Sequence, residues 1–403
     1  MNLDYTNQKI SATEITISGS KSESNRLLIL QQWYSNLELQ NVSDSDDTKH
    51  LQAALNSESA LIDIGHAGTA MRFLIAYFSA FEGREVTLTG SDRMQNRPVK
   101  ILVDALRDLG ADISYVAKEG YPPLHIKGKK ITTTKVAIKG NVSSQYISAL
   151  VLIAPSLENG LEIELLEEIT SRPYLEMTLN LLSQLGITSM WNGNVITIYA
   201  KKQIENKLIT VESDWSSASY FYSLVALSPV GTSLSLSSYS KESLQGDSCL
   251  LAIYKNFGVE TTFLKNAIVL SKKTNVIQSE NEELLNLISA PDIAQTIAVT
   301  CFGLGVSCSL TGLHTLKIKE TDRLVALDVE LSKLGADISV TNDSLYLKST
   351  TTINKNCNIK TYNDHRMAMA FAPLALKVPV TIQDAAVVTK SYQRFWEDLD
   401  SCF

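Results

Sequence analysis

The chain has 403 residues, with 36 basic and 43 acidic side chains and a formal net charge of -7. That length suits two domains with separate cores, and the acidic balance excludes a global attraction to nucleic acid or to an anionic membrane. Any anionic ligand must be held by locally placed lysines and arginines. The five cysteines, at 249, 301, 308, 357 and 402, show neither pairing nor metal-ligand spacing, and the histidines are scattered, so no metal site is expected. The first residues lack a secretory pattern and no apolar run is long enough to span a bilayer, which makes a soluble, cytoplasmic protein the expectation.

Six segments open apolar helical patterns, and several are loaded with polar groups. The first is Gly19-Ser20-Lys21-Ser22, followed by Ser24, Asn25 and Arg26. Free N–H groups of a first helical turn, two hydroxyls, an ammonium and a guanidinium form an array suited to phosphate, although the Gly-rich spacing of a nucleotide triphosphate loop is missing. Gly68 to Arg72 opens the second pattern. Ser91 to Pro98 then forms a loop carrying Arg93 and Arg97, in which Pro98 can start the next helix; Arg93 is the ligand candidate, and Arg97 reads equally as surface charge. Ser143-Ser144-Gln145 is a compact donor set, and Ser171-Arg172-Pro173-Tyr174 is a second polar corner. Further helix starts follow at Ser216 to Ser219, at Asp292 after Pro291, and at Asp364-His365-Arg366.

Between these starts runs a repeated phrase: Leu106 to Gly110, Leu182 to Gly186, Tyr254 to Gly258 and Leu331 to Gly335, recurring roughly every 75 residues. Each reads as the last turn of a helix stopped by glycine, then an extended run such as Ala111 to Val116. Strand patterns fall at Glu85 to Thr89, Val136 to Lys139, Leu161 to Leu165, Val195 to Tyr199 and Ser233 to Leu236. Six α/β units divide evenly as two groups of three. Periodicity does not say which group owns the first 19 residues.

Three clusters could carry chemistry. Lys319-Glu320-Thr321-Asp322-Arg323 sets a carboxylate among cations at a helix start; a solvated charge run is its other reading. In Asp364-His365-Arg366 the following apolar run implies burial, His365 reads as a tether of the turn or as a proton carrier, and Arg366 suits an anion. Asp292 reads as an N-cap or as a separate reactive carboxylate, and Lys390 completes the basic set.

The residues at 19–26, 67–72 (Ala-Gly-Thr-Ala-Met-Arg), 93–98 (Arg-Met-x-x-Arg-Pro), 143–145, 319–323 and 363–369 (Asn-Asp-His-Arg-Met-Ala-Met) together make the chain similar to the 5-enolpyruvylshikimate-3-phosphate synthases. The resemblance implies an α/β fold of two domains, each of three βαβαββ units around an approximate threefold axis. It implies residues 1–19 plus 213–403 as one domain, 20–212 as an inserted one, and an active site in the cleft between them. The implied reaction moves the enolpyruvyl group of phosphoenolpyruvate to the 5-hydroxyl of shikimate 3-phosphate, on the route to chorismate and the aromatic amino acids. By the same resemblance Asp292, Glu320 and Lys21 are catalytic. Lys21, Ser22, Arg26, Ser143, Ser144, Gln145, Ser171, Tyr174, Asp292, Thr315 and Lys319 meet shikimate 3-phosphate. Lys21, Gly68, Arg93, Gln145, Arg323, Arg366 and Lys390 meet phosphoenolpyruvate. No cofactor, metal, nucleic acid or membrane is implied, a monomer is expected, and retention of Gly68 implies inhibition by glyphosate.

The pattern is not followed everywhere. His66 stands where the family commonly has Asn, Phe73 where it has Pro, and Thr315 where an Asn would touch the shikimate substrate. Two other functions compete. A related transferase acting on UDP-N-acetylglucosamine would place a cysteine in a mobile loop near the donor, and none of the five cysteines sits in such a loop. A binding protein without activity would not need Lys21, Asp292, Glu320 and Lys390 together.

Overall fold

The computed structural model describes residues 1–11, 14–141, 143–167, 169, 172–276 and 283–403. The chain forms two compact units, one of Met1–Ser18 with Glu212–Phe403, the other of Gly19–Val211. Each boundary lies one residue before the one the resemblance implies. Gly19 explains this, because its Cα is packed so closely on the Asn41 carbonyl and Val211 that a methyl there would overlap the carbonyl oxygen.

Each unit is organised by three helices that are largely buried, five of them mostly apolar or small in sequence, a composition that is stable only when the helix is surrounded. In the Gly19–Val211 unit these are Lys21–Trp33, Gly68–Ala80 and Ser144–Ile153, which pack on one another. In the other they are Trp215–Leu227, buried along its whole length, Ala294–Leu304 and His365–Phe371. All six begin within two residues of the expected starts. Serine and threonine inside these helices find partners across the seams: Ser219 Oγ lies 3.0 Å from Thr296 Oγ1, and Thr300 donates to Ser223 Oγ at 2.8 Å. That pairing lets hydroxyls be buried at little cost.

Four repeats have the full βαβαββ order, with one sheet topology. In the first, Leu61–Asp63 pairs parallel to Glu85–Thr89, which pairs antiparallel to Leu124–Lys127, itself antiparallel to Asp112–Tyr115. The same order recurs in the sheets containing Leu161–Leu166, Ser233–Ser237 and Cys308–Thr311. The remaining two repeats depart from the expected pattern. Among the described residues, one sheet has only Lys207–Thr210 parallel to Leu37–Gln40, and the other has Cys357–Ile359 and Val380–Ile382 closed by Asn2–Leu3. In both sheets a strand distant in sequence completes the pairing. The phrase glycines Gly110, Gly186, Gly258 and Gly335 have positive φ, as their helix-stopping role requires.

Candidate active site

The unit containing residues 212–403 assembles a charge cluster from five local structures. Asp292 lies in the turn Pro291–Ile293 ahead of Ala294–Leu304. It does not cap that helix; its oxygens go to Arg323 Nη1 at 2.9 Å, Arg366 Nη2 at 3.0 Å and Lys319 Nζ at 3.4 Å. Arg323 is the first residue of the helix Arg323–Lys333, whose cap is Asp322. Its side chain is 2% exposed, yet it binds three carboxylates, reaching Asp364 Oδ2 through Nε at 2.6 Å and Glu320 Oε2 through Nη2 at 2.8 Å. Lys390, ending the turn Ala385–Lys390, meets Glu320 Oε1 at 2.6 Å. The Lys319 to Arg323 run is therefore no solvated charge run. Asp364 caps His365–Phe371 by accepting from the Arg366 N–H, and His365 is buried with Nδ1 3.8 Å from Asp364.

Burial alone would raise the carboxyls of both Asp292 and Glu320. For Asp292 the cations Arg366, Lys319 and Arg323 outweigh it, and for Glu320 Arg323 and Lys390 do, so both are held well below the usual carboxylate range. The same pairing outweighs burial at Arg323 and Arg366 and holds them protonated. Thr315 Oγ1 is buried in the turn His314–Ile318 without a hydrogen-bond partner among the described residues.

The Gly19–Val211 unit holds a second group of residues. Lys21 opens its helix with Nζ 3.6 Å from Asp47, and Ser20 caps the helix by accepting from the Glu23 N–H. Arg26 is 2% exposed. Four of its five N–H groups donate inside the unit, to Thr178 Oγ1, the Ser22 carbonyl, Ser148 Oγ and the Tyr174 carbonyl. Arg26 thus ties the Lys21 and Ser144 helices to the helix Arg172–Gln184, with its guanidinium near the Phe73 and Tyr174 rings and its pKa pushed down to about 10 by burial. Ser143 caps the helix of Ser144, and Gln145 Nε2 donates to Thr69 Oγ1 at 3.2 Å, joining two helix starts. Ser171 lies outside the described residues.

Of the two arginines in the 91–98 loop, Arg97 is the one placed at the helix start of Gly68. Its guanidinium lies against Gly68, so close that a methyl on Gly68 would overlap it, whereas Arg93 is exposed on the turn Asp92–Gln95. Asp47 was missed, and the acidic run at Asp44, Asp46 and Asp47 was the available signal.

A family model described as EPSP synthase (3-phosphoshikimate 1-carboxyvinyltransferase) matches residues 49–399. The chain belongs to the EPSP synthase family. A 3-phosphoshikimate 1-carboxyvinyltransferase of Bacteroides fragilis is 45% identical over 97% of this chain and 95% of its own length. One from Haemophilus influenzae is 35% identical over 97% of both chains. Among solved structures, an EPSP synthase from Acinetobacter baumannii superposes with a TM-score of 0.80 at 20% identity, covering 100% of this chain and 97% of that one. The enolpyruvyl transferase NikO from Streptomyces tendae gives 0.73 at 13% identity, with 100% and 97% covered. Both show the fold.

Two departures from the usual EPSP synthase pattern now have physical accounts. Phe73 is 1% exposed and faces the Arg26 guanidinium, so it fills core beneath that clamp. His66 Nδ1 lies 2.6 Å from the Ser91 hydroxyl, the cap of the turn Asp92–Gln95, so it fastens the arginine loop.

Gly68→Ala is compatible with the helix but forces Arg97 aside. The expected result is a rise of about tenfold or more in KM for phosphoenolpyruvate, in line with a displaced charged hydrogen-bond donor, with shikimate 3-phosphate binding little changed. Steady-state kinetics with each substrate varied in turn checks it.

Proposed function

We infer that the chain transfers the enolpyruvyl group of phosphoenolpyruvate to the 5-hydroxyl of shikimate 3-phosphate and releases phosphate. The observation that carries the reading is the pair of carboxylates, Asp292 and Glu320, bridged by one buried guanidinium and ringed by Arg366, Lys319 and Lys390. The reaction needs both kinds of group. A proton must leave the attacking hydroxyl while C3 of phosphoenolpyruvate gains one, and cations must hold the donor's carboxylate and phosphate.

In this reading Asp292 accepts the 5-hydroxyl proton as oxygen bonds to C2, and Glu320 supplies C3. The tetrahedral adduct then breaks its C2–O bond to phosphate while C3 returns its proton to Glu320. Lys21 donates a proton to the departing phosphate, and the hydroxyl proton held by Asp292 is released to restore Lys21, so that the product is hydrogen phosphate and both groups are reset. Glu320 is an anion while Arg323 and Lys390 hold it; a donor that engages those cations weakens their hold, its carboxyl pKa rises, and it takes up the proton that C3 requires. Arg323, Arg366 and Lys390, with Gly68 and Arg97, receive phosphoenolpyruvate, Arg93 being a weaker candidate than Arg97. Ser22, Ser143, Ser144, Gln145, Ser171, Tyr174, Thr315 and Lys319 face shikimate 3-phosphate. Arg26 offers its remaining N–H and orients Ser22 and Tyr174.

The test is phosphate release, with product detection by mass spectrometry, from the purified protein given both substrates. Folded protein that yields no enolpyruvyl product refutes the reading. Glyphosate, which mimics phosphoenolpyruvate, is expected to compete with it beside Gly68, where no Cβ displaces Arg97; full activity under saturating glyphosate and limiting phosphoenolpyruvate would overturn that.

A further inference from the structure

Behind Arg366 lies a carboxylate that the proton-transfer reading does not use. Asp247 sits in the turn Gly246–Cys249 and is 5% exposed. Its Oδ2 accepts the Ser216 hydroxyl proton, and Ser216 Oγ in turn accepts from Arg366 Nη2 at 3.2 Å. The direction of this chain is fixed. A guanidinium can only donate, so Ser216 must accept there and has one proton left, which goes to Asp247. The same Nη2 donates to Asp292 Oδ2 at 3.0 Å.

The turn that carries Asp247 is fastened to the start of the Trp215–Leu227 helix. Gln245 Oε1 accepts from the Trp215 N–H at 2.9 Å, and Gln245 Nε2 donates to the Ser213 carbonyl at 3.0 Å. Ser216, in the first turn of that helix, is 7% exposed. Every link between Asp247 and Arg366 is thus buried and attached to a rigid element.

We propose that Asp247 and Ser216 are positioning residues that aim the Arg366 guanidinium at the donor's anionic group. The proposal rests on the reading of Arg366 as a ligand for phosphoenolpyruvate. Without this relay, Arg366 keeps its ion pair with Asp292 but loses the second contact that fixes the plane of its fork.

The relay also has a pH range. Burial and the neighbouring Asp292 charge push the Asp247 carboxyl up to about 6, partly offset by Arg366 and the Ser216 hydroxyl, while Asp214 at the helix cap adds a smaller upward push. Lys319 and Arg323 face Asp292 and hold it ionised throughout this range. Protonating Asp247 therefore removes the charge that orders Ser216, and the relay works above about pH 6 and fades below it.

Asp247→Asn and Ser216→Ala test this, with KM for phosphoenolpyruvate measured from pH 5 to 8.5. Each substitution is expected to raise that KM by about tenfold at pH 7.5, with kcat and the KM for shikimate 3-phosphate within about twofold. The wild-type KM should climb below pH 6 relative to Asp247→Asn, a comparison that cancels the titration of the substrate's own phosphate. Unchanged donor KM in both folded variants, or equal pH profiles, overturns the proposal. Arg366→Lys separates the two layers: if it raises donor KM while neither relay variant does, the positioning role is wrong; if it has no effect, the ligand role of Arg366 falls and the proposal with it.

Discussion

Glu320→Gln is expected to lower kcat by about 10²- to 10⁴-fold while leaving shikimate 3-phosphate binding within about twofold. The amide keeps the size of the side chain, and its one oxygen can still accept from either Arg323 or Lys390, which bind different oxygens of the carboxylate. It cannot carry a proton to and from C3. Glu320 is held by two cations at 2.8 and 2.6 Å and lies well below the usual carboxylate range. In the proposed role its protonation is coupled to arrival of the donor anion. Titration calorimetry in buffers of different ionisation enthalpy would detect proton uptake on ternary-complex formation in the wild type and its loss in Glu320→Gln. Equal losses in turnover and in shikimate 3-phosphate affinity would remove the acid–base role.

Arg323→Met is expected to destabilise the protein by about 3–5 kcal/mol near pH 7, the range found when one member of a buried ion pair is removed. Arg323 is 2% exposed and Asp364 has no exposed side-chain surface, so the substitution leaves Asp364 buried without its main counter-charge and weakens the hold on Asp292 and Glu320. The pH dependence has a defined sign. In the wild type Asp292 and Glu320 have depressed pKa values, so their contribution is present above their unfolded values near 3.8 and 4.5 and is lost as pH falls through the folded ones. The variant lacks most of that contribution and gains when its carboxyls protonate. The gap between the two proteins should hold from pH 7 to near pH 4.5 and narrow as pH falls further in urea denaturation; a gap that stays constant on further acidification would show that packing, not charge, is lost.

The helix starts were legible because their chemistry is local. A serine or aspartate before an apolar run announces a cap, and Ser20, Ser143, Asp214 and Asp364 all act as caps. Asp292 has the same local signature and is not one, because Arg323 lies 31 positions away in sequence and claims its oxygens. The two arginines of the 91–98 loop are equivalent in composition. Only the turn Asp92–Gln95 and the bend at Arg97 decide that Arg97 reaches Gly68. Asp247 was invisible for a related reason: nothing in Gln245-Gly246-Asp247 signals burial, and its partners Ser216 and Arg366 come from distant helices. Strand partners in the two shortened repeats were equally hidden, since a repeat period cannot say that Leu37–Gln40 pairs with Lys207–Thr210.

The pairing of Glu14–Ile15 with Ser235–Leu236 also sets an order of assembly. During synthesis the strand at 14–15 waits for a partner that emerges only after the whole Gly19–Val211 segment has been made. That segment already contains both halves of its own closing strand pair, Leu37–Gln40 and Lys207–Thr210, so it can complete its core first. Residues 1–18 thus belong with residues made some 200 positions later, and at 5–20 residues per second, a typical rate of synthesis, the strand at 14–15 spends on the order of ten seconds or more as an unpaired edge.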